Sequence, residues 1–318
     1  MYRWMLKAAV QNTVSILPGN QSWNYLLQKY ITRSSGLDKT RLQLKLQYAR
    51  RHLQSFFGRQ RLQQKEGDTF TVLELGTGWS PIIPIALFLC GASKIWTIDK
   101  RPLLRRENVI RTLQLFAALA RDEDLSATLP WIREDRLRVM LDAVECTNPI
   151  SVSDILAPFN IEVLIQDAQH TTLEPGAVDF FLSNSVLQEI PKQILLGIFR
   201  EFRRVASTTS TMSHYVNMVE PYADCDPTLT AYHFLQYSDL TWRFINNSLH
   251  YHNRLRISDY RLVHELSEFQ IVREDNEEGP NSELDRIHLA KQFQRYSRDE
   301  LRVLRTWMVS AVRQVTAT

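Results

Sequence analysis

The residues best suited to bind a ligand stand at the ends of short apolar runs. Thr69–Leu75 is β-branched and apolar, which predicts a buried strand, and it ends in Gly76-Thr77-Gly78. The chain has only ten glycines, and no other two lie this close together. Glycines at this place let the backbone turn sharply and approach a ligand closely. Taken alone, the pair fits an ordinary tight turn equally well.

An acidic residue ends the next predicted strand. Asp99 closes Lys94–Asp99 and follows Gly76 by 23 residues, close to the spacing at which a carboxylate holds a ribose diol. The alternative role for Asp99 is to cap the helix that follows. A dinucleotide fingerprint would also need a third glycine, and Pro81 stands there. This disfavours a nicotinamide or flavin cofactor.

A parallel sheet is needed to bring these strand ends together. Three more apolar runs, Ile161–Asp167, Ala177–Asn184 and Met212–Val219, alternate with helical patterns. Strands that are apolar along their whole length indicate a Rossmann-like, doubly wound, mostly parallel α/β sheet that is covered on both faces. Such sheets bind ligands at the carboxyl ends of their strands.

The last part of the chain predicts two further strands and a helix. Phe269–Arg273 and Ile287–Phe293 are expected to complete a seven-stranded sheet as an antiparallel pair. A capping box, Ser297-Arg298-Asp299-Glu300, predicts the start of a final helix. The apolar spacing of Leu301, Leu304, Met308 and Val312 predicts that these residues form the buried stripe of this helix.

Four segments share their order and spacing with a known family. VLELGTGWSP, IWTIDK, IQDAQH and VDFFLSNSVLQEIP lie within residues 70–220. Together they resemble the corresponding segments of class I S-adenosylmethionine-dependent methyltransferases. Ser80 replaces the third glycine of the family pattern, a position where members tolerate a small residue.

The resemblance implies S-adenosylmethionine as the cofactor and assigns roles to residues. Glu74, Gly76, Thr77 and Gly78 would line its methionine part; Asp99, with Lys100 beside it, would hold the ribose; Asp167 and Ala168 would bind adenine; Asn184 and Ser185 would face the methyl-transfer site. Acidic strand ends suit a cationic sulfonium and ammonium better than a pyrophosphate.

An oxygen acceptor must lose a proton during methyl transfer, so a general base is expected. The candidates are His170, Glu189, His214 and His233. Each has an alternative. His170 would be a loop residue beside the adenine, Glu189 would simply begin a helix, and His214 would be a core histidine.

Charge is divided unevenly along the chain. Residues 1–65 contain twelve Lys or Arg and a single acid, Asp38, a balance of +11, whereas the remainder has 26 basic and 34 acidic residues, a balance of −8. This predicts a basic helical cap over residues 1–65 and a cofactor-binding domain over residues 66–318. The aromatic-rich residues 219–262 would form a helical insertion on the substrate side. The cap would face an anionic partner or dock onto the acidic remainder.

The function expected from these features is O-methylation of a small polar or anionic acceptor, for example a sugar. One alternative is an RNA methyltransferase that uses the basic cap, and another is a non-catalytic partner subunit that binds S-adenosylmethionine.

Three scattered cysteines form no zinc or disulfide pattern and favour a reducing, cytoplasmic compartment. No apolar run is long enough to span a bilayer, which leaves peripheral membrane contact open.

Overall fold

A computed structural model describes residues 3–16, 37–60, 69–122, 124–145, 151–223, 226–247 and 251–314. Residues 61–68, around the predicted boundary between the basic cap and the cofactor-binding domain, lie outside these ranges. The sheet is built from β1 (Phe70–Leu75), β2 (Ala92–Asp99), β3 (Ile161–Ile165), β4 (Val178–Asn184), β5 (Ala206–Asn217), β6 (Phe269–Glu278) and β7 (Val303–Val312).

Helices cover both faces of the sheet. In the described residues they are α1 (Arg3–Ile16), α2 (Lys39–Gln60), α3 (Ile82–Leu89), α4 (Arg106–Arg121), α5 (Asp124–Thr128), α6 (Glu134–Glu145), α7 (Val152–Leu156), α8 (Lys192–Val205), α9 (Asp239–Ile245), α10 (Ile257–Leu266), α11 (Asn281–Leu284) and α12 (Arg298–Arg302). Within the same ranges, no helix has the length and apolar character needed to cross a membrane.

The strand order is β3-β2-β1-β4-β5-β7-β6. Strands β1 to β5 pair in parallel, and β7 runs antiparallel to both β5 and β6. This confirms the predicted Rossmann-like, mostly parallel sheet of seven strands with an antiparallel last pair. The chain changes direction across the sheet between β1 and β4, which opens a crevice at their carboxyl ends.

The predicted seventh strand and final helix are both wrong. Residues 287–293 contain only a short 3₁₀ turn, Lys291–Phe293, and the capping box at Ser297 starts a helix that already ends at Arg302. The chain then forms β7 between β5 and β6. Both faces of β7 are covered, so consecutive residues such as Trp307, Met308 and Val309 are buried and the alternation typical of a strand is missing.

Helix α2 belongs to the main core of the protein. Its apolar stripe, which includes Leu46, Leu53 and Phe56, is buried in one cluster with residues of α3, β1 and β4. Ion pairs add to this contact: Lys39 lies 2.9 Å from Asp122, and Arg51 lies 2.8 Å from an Asp275 carboxylate oxygen. These pairs agree with docking of the basic helix onto the acidic remainder.

Helix α1 packs against residues that follow β5. The Trp4 side chain is buried in an apolar cluster with Tyr222, Tyr232 and Trp242. The Asn12 side-chain amide donates to the Phe244 carbonyl at 2.9 Å. The region predicted as an insertion therefore carries α9, the start of α10 and the surface on which α1 rests.

Candidate functional site

The loop after β1 requires glycine at two positions for different reasons. Gly76 has a φ of +81°, and a Cβ atom there would lie 2.5 Å from a methyl carbon of Val186. Gly78 has a φ of +70°, but a Cβ atom would meet no described atom within 4 Å. The Gly78 amide donates to Asp99 at 3.0 Å, which ties the loop to the end of β2. Gly76 is thus fixed by packing, whereas Gly78 borders open space at the carboxyl end of the sheet.

Glu74 is a buried carboxyl on the central strand. Its residue is only 3% exposed, and the Thr97 hydroxyl donates to it at 3.1 Å. Burial raises the pKa of Glu74 to about 8, and the negative charge of Asp99 acts in the same direction. The ammonium of Lys45, on α2, acts in the opposite direction. The cleft therefore contains a carboxyl that ionises readily only when a cation is near.

Two more carboxyls share this environment. Partial burial raises the pKa of Asp99 to about 6, although hydrogen bonds from Gly78 and Thr77 oppose the shift. Glu189 is exposed, but partial desolvation of its carboxyl and the negative charge of Asp99 raise its pKa to about 7. Asp99 acts electrostatically on both Glu74 and Glu189, so the three carboxyls lie near one another at the carboxyl ends of the central strands.

Asn184 and Ser185 form the end of β4. Ser185 has a φ of +55°, and its amide donates to the Tyr215 carbonyl at 2.8 Å. Asn184 Oδ1 lies 3.1 Å from Nε2 of His52. Asn184 Nδ2 is buried and has no hydrogen-bond partner in the described part of the chain.

The predicted adenine residues follow β3. The Asp167 carboxylate is exposed and accepts from the Gln169 amide at 3.0 Å, and this hydrogen bond lowers the pKa of Asp167. Ala168 is buried, while His170 and Lys100 are exposed. Both His170 and Lys100 act electrostatically on Asp167, so these residues surround the outer end of the cleft.

The structure places two predicted bases elsewhere. His214 is fully buried; its Nδ1 lies 2.8 Å from the Ser183 hydroxyl, and burial lowers its pKa well below the ordinary value. His214 is therefore buried in the core, as its alternative role predicted. His233 packs against Trp4, and its Nδ1 lies 3.5 Å from the Glu220 carboxylate, within the cluster under α1.

Sequence reasoning missed three residues on α2. Lys45 acts on Glu74, the Tyr48 ring lies 5.0 Å from the Tyr215 ring, and His52 reaches Asn184. These three residues are spaced by three and four along the helix, beside its apolar stripe. Polar residues at core positions of an amphipathic helix were the available signal.

The site therefore combines ionisable carboxyls, a glycine-lined loop and amide donors at the carboxyl ends of β1, β2 and β4. Within the described residues, no group of three or more His, Cys, Asp or Glu could hold a metal ion. Such a cleft suits an organic ligand that carries positive charge.

No family model and no curated protein matches the sequence. Among solved structures, an S-adenosylmethionine-dependent methyltransferase from Methanosarcina mazei is 13% identical with a TM-score of 0.43, covering 79% of this chain and 95% of its own. Geranyl diphosphate C-methyltransferase from Streptomyces coelicolor, solved with S-adenosyl-L-homocysteine, is 12% identical with a TM-score of 0.40, covering 82% of this chain and 78% of its own.

Proposed function

We propose that this chain is an S-adenosylmethionine-dependent methyltransferase that methylates an oxygen of a small polar or anionic acceptor. The observation that carries the proposal is the pair of carboxyls, Glu74 and Asp99, at the carboxyl ends of β1 and β2 beside the Gly76-Thr77-Gly78 loop. Both carboxyls have raised pKa values, and a ligand with an ammonium and a sulfonium would stabilise their ionised forms. A pyrophosphate would be repelled.

The residues present fit the parts of this cofactor. Asp99 already accepts from Gly78 through Oδ2, and its carboxylate has further lone pairs for the two ribose hydroxyls. The open space beside Gly78 leaves room for a ligand to approach the backbone. At the outer end of the cleft, Asp167 and the backbone of Ala168 are proposed to hold the adenine.

Glu189 is the best-placed general base. When bound, S-adenosylmethionine would supply a methyl group on a sulfonium: an acceptor oxygen would form a bond to the methyl carbon in line with the sulfur, and the C–S bond would break to release S-adenosyl-L-homocysteine. Glu189 borders the same cleft as Asp99, is accessible to solvent, and has a pKa near neutrality. It would accept the hydroxyl proton of the acceptor as the new bond forms. His170 is the remaining candidate because it is exposed beside Asp167.

Calorimetry tests the cofactor directly. The protein should bind S-adenosylmethionine and S-adenosyl-L-homocysteine but not NAD. Asp99→Ala should weaken binding by roughly ten- to hundredfold, because it removes charge-assisted hydrogen bonds to the ribose. Glu162→Ala, on the distal strand β3, is a matched control and should bind normally. Unchanged affinity in Asp99→Ala would contradict the assignment of Asp99 to the ribose. Tight binding of NAD would contradict the assignment of S-adenosylmethionine as the cofactor.

The reaction itself has a separate test. Release of S-adenosyl-L-homocysteine is measured with a panel of small hydroxylated acceptors, neutral and anionic. With any acceptor that is methylated, Glu189→Gln should lower kcat by roughly a hundredfold or more. A variant that retains full kcat would show that Glu189 is not the base. Cofactor binding without methyl transfer to any acceptor would favour the non-catalytic subunit.

A further inference from the structure

A chain of hydrogen bonds connects β7, β5, α2 and β4. The Trp307 indole Nε1 donates to the Ser213 hydroxyl at 3.0 Å. Ser213 Oγ lies 2.8 Å from His52 Nδ1, and His52 Nε2 lies 3.1 Å from Asn184 Oδ1. His52 and Ser213 are fully buried, so solvent does not compete for these bonds.

Counting the available protons shows which group donates in each of these hydrogen bonds. Burial lowers the pKa of His52 to about 3, so its ring is neutral and carries one N–H. The Trp307 indole can only donate, so Ser213 accepts from it and keeps its own proton for His52 Nδ1. His52 Nε2–H then donates to Asn184 Oδ1. The opposite direction would leave the buried Ser213 hydroxyl proton without an acceptor, which is costly.

This relay, the series of hydrogen bonds from Trp307 through Ser213 and His52 to Asn184, fixes which end of the Asn184 amide points away from α2. With Oδ1 held by His52, the planar amide points Nδ2 away from α2, and Nδ2 has no partner among the residues that the structure describes. Leu182 pairs with Glu74 across the sheet, and Asn184 stands two residues further along the same face. The unpartnered N–H groups therefore belong to a residue two positions beyond the level of Glu74, at the carboxyl end of β4.

Lys45 brings a positive charge to the same place. It is half-buried on α2, one to two turns before His52, and it interacts electrostatically with Glu74. Burial lowers the pKa of Lys45, so a further negative charge nearby would stabilise its ionised form. An acid, a cation and an N–H donor thus stand together under α2.

We propose that α2 recognises the α-carboxylate of an amino-acid ligand, with Lys45 and Asn184 as the binding residues and His52 as the residue that positions Asn184. The proposal rests on the proposed cofactor, whose methionine end is such an amino acid. Its ammonium and carboxylate are attached to the same carbon, so an ammonium bound at Glu74 brings the carboxylate next to Lys45 and Asn184. The zwitterion then meets one opposite charge at each end.

Two ligands separate this contact from the rest of the cofactor site. S-adenosyl-L-homocysteine carries the amino acid, whereas 5′-methylthioadenosine has the same nucleoside and thioether without it. Lys45→Met and Asn184→Leu should each lower the affinity for S-adenosyl-L-homocysteine by about tenfold. The affinity for 5′-methylthioadenosine should change by no more than about twofold. The control Arg59→Met removes a positive charge from the exposed far end of the same helix and should change neither affinity.

The outcomes are distinct. An equal loss for both ligands, or no loss for S-adenosyl-L-homocysteine, would overturn the carboxylate site while leaving the cofactor assignment in place. If the unaltered protein bound neither ligand, the proposed function would fall and this inference with it.

His52 is tested by rescue and by spectroscopy. His52→Leu should weaken S-adenosyl-L-homocysteine as Asn184→Leu does, and His52→Gln should restore most of the affinity because its side-chain amide can donate to Asn184. In the unaltered protein, ¹⁵N NMR of the histidine ring should show the neutral Nε2–H tautomer down to about pH 5. An Nδ1–H tautomer would overturn the relay even if the buried variants fail to fold.

Discussion

Glu74 links ligand binding to the stability of the fold. Its pKa rises from an ordinary 4.5 to about 8 because the carboxyl is buried. Since the folded state holds this proton more tightly than the unfolded chain, folding loses stability as pH rises from about 4.5 to about 8. A bound cation would recover part of the loss by stabilising the carboxylate.

Glu74→Gln should therefore stabilise the ligand-free protein and lower its affinity for the cofactor. At pH 7 the free energy of unfolding should rise by roughly 1–3 kcal/mol, because a neutral amide replaces a carboxyl that resists ionisation. Urea unfolding between pH 5 and 8.5 measures this, and the variant should show a flatter dependence on pH than the unaltered protein. The control Glu145→Gln, at an exposed end of α6, should keep the original slope.

The affinity for S-adenosylmethionine should also depend on pH. Because Glu74 and Asp99 have pKa values of about 8 and 6 in the protein without ligand, a cation must displace their protons. Affinity should rise between pH 6 and pH 8, and protons should be released on binding. Calorimetry in buffers of different ionisation enthalpy measures the release; a constant heat across buffers would contradict it.

The two loop glycines should respond differently to alanine. Gly78→Ala has space for its Cβ and should cost the fold only roughly 1–2 kcal/mol from its positive φ, while cofactor binding weakens more than tenfold. Gly76→Ala adds a clash with Val186 and should destabilise the fold much more. Thermal unfolding and calorimetry on both variants separate these effects; equal stabilities would contradict the assignment.

At the scale of elements, α2 is held mainly by its apolar stripe. Phe56 is 1% exposed, and its ring lies 4.7 Å from the rings of both Phe70 and Phe180. Phe56→Ala should cost roughly 3–5 kcal/mol because it leaves a cavity. Arg51→Ala breaks a partly exposed ion pair and should cost roughly 1 kcal/mol or less at moderate salt. Chemical denaturation measures the loss of unfolding free energy in both variants. Similar losses would contradict the view that packing is the main contribution that holds α2.

Sequence patterns predicted well the elements whose structure is determined by the residues within the element itself. The five parallel strands were found because each contains a mainly apolar or β-branched run. β5 was recognised only from Met212 onward, because it begins at Ala206 with a segment rich in Ser and Thr. β7 was missed because its pattern has a helical spacing, and only its place between β5 and β6 explains why eight of its ten residues are buried.

At the scale of the whole molecule, the N-terminal helices should contribute unequally to folding. Residues 66–318 alone would expose the surface that Leu46, Leu53 and Phe56 cover, so this fragment should show no cooperative thermal transition. Removal of residues 1–16 loses mainly the packing of Trp4 and should lower Tm by roughly 5 °C. Scanning calorimetry tests both, and a stably folded 66–318 fragment would refute the shared core.

The sequence by itself determined the five parallel strands, the glycine turn and the acids at the strand ends. These follow from hydrophobic period and from the conformations that glycine allows, which are properties of neighbouring residues. The proposed cofactor and the proposed contact with Asp99 come from the resemblance of four segments to class I S-adenosylmethionine-dependent methyltransferases.

Only the tertiary structure decided which residues meet. His52 and Ser213 are 161 positions apart, yet they form one hydrogen-bonded chain that orients Asn184. The same packing buried His214 and brought Lys45 to Glu74. Helical spacing places a residue on a face of α2, but the partner of that face is set by how the helix packs against the sheet, because packing joins residues that no local pattern connects.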